Sequence, residues 1–420
     1  MIQRKPLILA CAAVLLALAP LALLSQQAAP PPGAAAPGRG MMGAAAGPPS
    51  PEIHSDNTVT FRLMAPKASE VVLNGDWPGG MNVAMTKDEQ GVWSVTVGPL
   101  KPELWGYTFS VDGVRTLDPR NGNVKRDGVR FDNILLISGP ESSLYEVNDV
   151  PHGTVSMVWY DSPTLKLTRR MYVYTPPGYA QGNRRYPVLY LLHGGGGDED
   201  AWYTLGRTNY ILDNLIAQGK AVPMIVVMPN GNANQKMASG SGPVPGQTAG
   251  RGAAPPAAAP SAAPAAAPGR QGAAAPPMAS AFPESLVKDI IPFVDKHYRT
   301  IPNKDNRAIA GLSMGGGHTL TATNTFPATF GYIGVWSAGV RQPNDAIVKQ
   351  LSAVKAAGVR LYYVGCGVDD KLAYEGSKTL VSLLKQAGIE PTFRESSGGH
   401  TWFNWRIYLS EFAPMLFRSR

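Results

Sequence analysis

The stretch AIAGLSMGGGHTL, Ala308 to Leu320, decides how the second half of the chain is read. A short apolar run ends in Gly311-Leu312-Ser313-Met314-Gly315. This fits G-x-S-x-G, in which a strand turns sharply into a helix and presents a serine on strained backbone. The glycines flanking Ser313 remove the Cβ atoms that would collide in so tight a turn. RAIAG upstream reads as a buried strand, and GGGHTLTATNTFP downstream as a small-residue helix that stops before Pro327. In a glycine-rich chain the pattern alone is weak, so its meaning rests on partners elsewhere.

Acyl transfer by a serine needs a base, a group that orients the base, and donors for the developing oxyanion. After the strand LYYVGCG comes VDDKLAYEG, a loop carrying Asp369 and Asp370. After the next strand, PTFRESSGGHTW brings His400 on a glycine-rich loop. Serine, aspartate, histidine is the chain order of α/β-hydrolases. Upstream, LLHGGGG ends an early strand in glycines whose N–H groups, with that of Met314, suit an oxyanion hole. One such donor contributes about 3 kcal/mol to transition-state stabilisation.

The surroundings agree. From about Val155, near-continuous apolar runs (YPVLYLLHGGGG, VPMIVVMPNG, FGYIGVWSAG, VRLYYVGCG) alternate with helical stretches. That texture predicts a mostly parallel sheet covered on both faces, over residues 150–420. Residues 52–145 instead alternate apolar and polar side chains in short runs (TVTFRLMAP, EVVLNGDW, GVWSVTVGPL, LWGYTFSVDG), which predicts a small antiparallel β-sandwich.

Residues 1–28 pair Arg4 and Lys5 with an apolar run from Leu7 to Leu24 and read as an export signal, implying a secreted or periplasmic protein. No clean A-x-A site marks the cleavage point; an uncleaved anchor is the alternative. Cys11 sits too early in that run for lipidation, and without the signal Cys366 alone remains, so no internal disulfide forms. Residues 29–51 read as a Pro/Ala/Gly tether. A longer tract of the same composition, 234–280, interrupts the α/β domain and reads as a disordered surface loop. The net charge of +8 is concentrated here: Arg4 and Lys5 leave with the signal, and Arg39, Lys236, Arg251 and Arg270 lie in the tracts, leaving +2. No nucleic-acid partner is expected, nor a membrane once the signal is gone. The oligomeric state is not readable from the sequence.

From Val155 onward, RRMYVYTPPGY, YPVLYLLHGGGG, IAGLSMGGG, CGVDD and GGHTWFNWR together resemble the esterase family of α/β-hydrolases that includes the feruloyl and acetylxylan esterases of carbohydrate esterase family 1. The resemblance implies Ser313 as nucleophile, His400 as base, Asp370 rather than Asp369 as orienting acid, and backbone N–H groups of Gly195 and Met314 as oxyanion donors. It implies a secreted serine esterase that cleaves feruloyl or acetyl esters on plant polysaccharides through an acyl-enzyme, with no cofactor or metal. Hydrolysis of a siderophore (enterochelin-type) lactone is the second reading; trehalose acyl transfer and a non-catalytic glycan-binding protein stand behind it. The front stretch resembles the early-set immunoglobulin-like domains related to carbohydrate-binding module family 48, through VVLNGDWPGG, GVWSVTVGPL, YTFSVDG and LDPRN. Trp77, Trp93 and Trp105 there offer faces for sugar stacking, but Trp93 and Trp105 lie in strands and read as core or interdomain packing, and the domain reads as a rigid lid or wall beside the active site ahead of a sugar-binding module.

Other residues draw structural readings. His318 follows the elbow on a helix and points away from the nucleophile, and His193 shapes the oxyanion loop. Cys366 is a small buried residue. His54, His152 and His297 lack metal-ligand spacing. Trp402 and Trp405, beside His400, either line the substrate pocket or pack as aromatic core.

Overall fold

The computed structural model describes residues 49–238 and 281–418. In chain order the first strands are β1 (Glu52–Ile53), β2 (Val59–Met64), β3 (Val71–Gly75), β4 (Val83–Ala84), β5 (Thr86–Lys87), β6 (Val92–Val97), β7 (Glu103–Val111), β8 (Val114–Thr116), β9 (Val124–Asp127) and β10 (Arg130–Ile137). They form two antiparallel sheets, β1-β2-β6-β5 and β4-β3-β7-β10-β9, with β8 on β7. Alternate side chains turn inward, as the two-residue period of a strand requires. Val59, Phe61, Leu63, Val71, Leu73, Phe109 and Ile137 thus meet in one core. Trp77 and Trp93 belong to that core, Trp77 stacked 5.8 Å from Phe61. Trp105 instead stacks on Phe403 of the second domain, 6.5 Å away and 4° from parallel.

That second domain is built on β11 (Thr154–Ser162), β12 (Leu167–Thr175), β13 (Val188–Leu192), β14 (Ile225–Pro229), β15 (Arg307–Leu312), β16 (Tyr332–Trp336), β17 (Leu361–Gly367) and β18 (Thr392–Ser396). The eight-stranded order is β11-β12-β14-β13-β15-β16-β17-β18. β12 pairs antiparallel with both β11 and β14, and the rest are parallel. This is the α/β-hydrolase fold preceded by a β-sandwich. Every residue of β13, β14 and β16 is buried because helices cover both faces. The helices are α1 (Ala201–Thr204), α2 (Thr208–Ala217), α3 (Ala281–Ser285), α4 (Ile291–His297), α5 (Met314–Thr325), α6 (Asp345–Ala356), α7 (Tyr374–Gln386) and α8 (Trp402–Phe412). Side chains of α3 to α7 pack on one face, around Tyr190, Ile309 and Val364. Those of α1, α2 and α8 pack on the other, together with Leu104 and Tyr145 from the first part of the chain. Each fully buried aliphatic side chain gains about 1.5–3 kcal/mol over exposure, so this packing, more than helix propensity, fixes the elements.

Two boundaries differ from the sequence expectation. Ser50 is buried and donates its hydroxyl to Asp118 at 2.7 Å, so the tether read as 29–51 gives way to folded chain before position 52. The tract read as 234–280 is likewise tied into the domain at its start. The Gln235 carbonyl accepts from Arg169 Nε at 2.9 Å, the Lys236 carbonyl from Arg170 N at 2.8 Å, and Ala238 N donates to Glu199 Oε1 at 2.8 Å. Buried polar side chains recruit this backbone, a demand that local composition does not reveal. The remainder of the tract, the signal and most of the tether lie outside the described residues. Among the described residues no helix is long and apolar enough to cross a membrane.

Candidate active site

β15 ends at Leu312, α5 begins at Met314, and Ser313 between them has φ 51° and ψ −116°. A non-glycine residue there carries roughly 1–3 kcal/mol of strain. The neighbours hold it: Ser313 N donates to the Trp336 carbonyl at 2.9 Å, and the Ser313 carbonyl accepts from Gly317 N at 3.0 Å. A Cβ at Gly311 would lie 2.3 Å from the Gly315 carbonyl oxygen, and one at Gly315 would lie 2.5 Å from that of His193, so both positions require glycine. As the first residue of α5, Met314 has an N–H with no acceptor inside the helix.

The loop after β17 carries the two adjacent aspartates in different environments. Asp370 is buried; its Oδ1 accepts from the N–H groups of Leu372 and Ala373, both at 3.1 Å, and its Oδ2 lies 2.8 Å from His400 Nδ1. Burial pushes the Asp370 carboxyl upward, but hydrogen bonding and charge from His400, with help from Ser337 and Leu372, outweigh it and hold the carboxyl below its ordinary range. An ionised Asp370 keeps the proton on Nδ1 and leaves Nε2 free as a base. Asp369 is exposed and lines a different cavity, beside Gly398 and Gly399.

Ser313 and His400 line the same two cavities. One, of about 230 Å³, is walled by Gly194, Gly195, Gly197, Trp402 and Trp405. The other, of about 300 Å³, lies toward Ala338, Arg341 and Leu372. The His400 ring stands edge-on to Trp405 at 5.1 Å, and Trp405 Nε1 donates to Ser337 Oγ at 2.9 Å. Trp402 packs edge-to-face between Trp202 and Trp405, 5.1 Å from each, and is therefore both pocket wall and packing residue. Gly195 is exposed to the cavity, next to Gly196 at φ +83°.

His193 is fully buried, and burial holds its imidazole below the ordinary range. Its Nε2 accepts from Gly231 N at 2.8 Å, so Nδ1 carries the proton and donates to the Gly194 carbonyl, also at 2.8 Å. The ring thereby braces the loop beside Ser313. His318 packs against Phe282, 5.0 Å between rings, and lines neither cavity. Burial raises the Cys366 thiol to about 11, which leaves it unreactive. His54, His152 and His297 bond to Thr60, Asp213 and the Phe293 carbonyl.

The sandwich reaches this site, as its reading as a wall beside the active site expects, but through residues that the sequence did not single out. Asp127, the last residue of β9, lines the 230 Å³ cavity. Arg126 beside it forks onto both oxygens of Asp198, at 2.6 and 2.8 Å, and reaches Asp200 at 3.1 Å. Both acids follow directly on the glycine loop. At α8, Arg406 bonds Glu103 of β7 at 2.8 Å, each side chain at most 2% exposed. The Asp-Gly pair in NVKRDGVRF signals a hairpin turn, but no local pattern says where its tip docks.

Comparison with known proteins adds the lineage. The family model described as "Putative esterase" matches residues 162–416, and the model for carbohydrate-binding module 48, the isoamylase N-terminal domain, matches residues 42–126. An endo-1,4-beta-xylanase/feruloyl esterase of Xylanibacter ruminicola is 32% identical over 375 residues, which is 88% of this chain and 46% of that protein. The chain thus spans about half the length of that relative. A ferulic acid esterase of Anaeromyces mucronatus, solved with ferulic acid, superposes with a TM-score of 0.51 at 24% identity, over 67% of this chain and 98% of that one. The enterobactin esterase of Shigella flexneri does so with a TM-score of 0.58 at 17% identity, over 85% and 92%. At these identities the two structures share the fold.

Proposed function

The chain belongs to the esterase family whose model spans residues 162–416, and from that premise we propose that it is a serine esterase acting on acyl esters, feruloyl or acetyl, of plant polysaccharides. The observation that carries the reading is a single one: Ser313 on its strained elbow shares its cavities with His400, whose Nδ1 is held by buried Asp370. The name of the Xylanibacter relative, at 32% identity, supports the substrate class. The export-signal composition of residues 1–28 supports a secreted or periplasmic site of action.

In the mechanism, His400 Nε2 takes the Ser313 Oγ proton as Oγ attacks the ester carbonyl carbon. The resulting oxyanion is met by the N–H groups of Gly195 and Met314. The intermediate collapses, His400 gives its proton to the departing alcohol oxygen, and an acyl-enzyme remains. Water deprotonated by His400 attacks the acyl carbonyl, and Ser313 is released with its proton restored. Asp370 stays ionised and stabilises the imidazolium in both halves.

The test is a panel of methyl ferulate, acetylated xylan and a catecholate siderophore lactone, given to the purified protein and to Ser313→Ala. Turnover of the ferulate or the xylan, abolished by the substitution, is expected. Turnover of the lactone alone overturns the substrate class, and near-normal activity of Ser313→Ala overturns the serine mechanism.

A further inference from the structure

Among the described residues lining the 230 Å³ cavity over Ser313, one side chain is acidic, and it is supplied by the sandwich. Asp127 closes β9 at the tip of the β9–β10 hairpin, whose ladder pairs Asp127 with Arg130. The tip rests directly on the glycine loop: Gly128, at φ +59°, approaches so closely that a Cβ there would lie 2.4 Å from the Gly196 carbonyl oxygen. Arg126 locks it, bonding the Gly128 carbonyl at 2.5 Å while forking onto Asp198. Asp127 is therefore held by its neighbours' bonds. Asp127 is exposed to the cavity, its carboxylate makes no hydrogen bond or ion pair among the described residues, and partial desolvation by the surrounding loops pushes it above the ordinary carboxylate range. Arg130 and Lys125 attract it electrostatically, and Asp132 and Asp198 repel it.

A carboxylate is an acceptor with two oxygens and no donor when ionised. Left unpaired beside a reactive serine, it suits a neutral ligand rich in hydroxyls and disfavours an anionic one. Neighbouring free hydroxyls of an esterified sugar supply two donors at once, whereas the alkyl group of a simple alkyl ester supplies none.

We propose that Asp127 is a specificity-determining residue, its carboxylate accepting hydrogen bonds from hydroxyls of the sugar whose ester is cleaved, so that the sandwich contributes part of the substrate pocket. The inference rests on the reading of the chain as a glycan esterase. It is tested with two esters that share an acyl group, a feruloyl monosaccharide and methyl ferulate, using the full chain and the variants Asp127→Ala and Asp127→Asn. For Asp127→Ala, kcat/KM for the sugar ester falls about 10- to 100-fold more than for methyl ferulate, mainly through KM. Asp127→Asn, which keeps one acceptor oxygen, falls between Asp127→Ala and the wild type. Equal losses on both esters, or no loss on the sugar ester, overturn the inference and leave the esterase reading standing. So does a fall in Tm that accounts for the lost activity, since Asp127 would then be structural. If the wild type turns over neither ester, the same pair is run with an acetyl group, an acetylated monosaccharide against an alkyl acetate, and turnover of none of the four overturns the glycan-esterase reading and the inference with it.

Discussion

The backbone of Ser313 is kept in place by what surrounds it. Gly315→Ala, whose new methyl would meet the His193 carbonyl oxygen at 2.5 Å, forces apart the β13 end and the elbow. Esterase activity is expected to disappear and stability to drop by about 1–3 kcal/mol, read by aryl-ester turnover and urea unfolding. The adjacent aspartates separate in the same assay. Asp370→Asn is expected to lower kcat on the order of 10⁴-fold, by loss of the productive tautomer, and Asp369→Asn at most about tenfold. Reversed effects would move the acid to Asp369. His318 provides a pH signature: burial, then the neighbouring His193, lower it from 6.5 to about 4. Between those values the unfolded chain binds a proton that the folded protein does not. Stability is therefore fully present above pH 6.5 and falls as pH drops toward 4, by up to about 1.4 kcal/mol per pH unit. His318→Gln should flatten that slope in denaturation curves at pH 4.5 and 7; an unchanged slope rules His318 out as its source. Ser313 and His400 were legible because the elbow pattern and the chain order are local and ordered features. Between the aspartates only a resemblance chose, and Asp127 was invisible because its place depends on a contact between distant parts of the chain.

At the scale of elements, the parallel strands were legible from their unbroken apolar runs and the sandwich strands from their alternation. The start of the Ala/Pro tract was not, since Asn234, Gln235, Lys236, Met237 and Ala238 form no strand or helix pattern that would set them apart from a loop. What makes them structural is Glu199, fully buried, which accepts from Arg170 and Ala238 N on one oxygen and from Asn230 on the other. Replacing 239–280 by a short Gly/Ser bridge should leave the urea midpoint and the activity close to wild type. Extending the deletion back to Gln235 removes acceptors and donors from buried Arg169 and Glu199. At about 1–3 kcal/mol per unsatisfied group, that longer deletion should destabilise by about 2–5 kcal/mol. Equal midpoints for the two deletions would mean that water replaces those bonds.

Across the whole molecule, three buried ion pairs join the sandwich to the hydrolase domain: Arg126 to Asp198 and to Asp200 behind the glycine loop, and Glu103 to Arg406 on the helix after His400. Taking away one partner of such a pair leaves a charge in low dielectric. Arg126→Met should cost about 3–5 kcal/mol, and Asp198→Asn in that background should recover part of the loss. A hydrolase piece comprising 150–420 alone should lack the cooperative unfolding and the activity of the full chain. If that piece unfolds at the wild-type midpoint, the sandwich is a passenger. The existence of both domains and an interdomain role for Trp105 could be read from the sequence, but the ion pairs that dock them could not, because pairs between remote segments leave no periodic trace.

Two cavities meet at Ser313, one toward Trp402 and the other toward Arg341, and under the proposed mechanism they would make the fate of the acyl group a competition between acceptors. In the proposed acyl-enzyme mechanism, one chamber would still hold the acyl chain once the first alcohol departs, and the other would refill with water or with any solute that fits. In water mixed with a small alcohol, part of the acyl group should therefore emerge as a new ester rather than as free acid. The ratio of the two products should be the same whichever ester delivered the acyl group, because every donor passes through one common intermediate. A ratio that changed with the donor would mean that the leaving alcohol is still in place when the acceptor attacks.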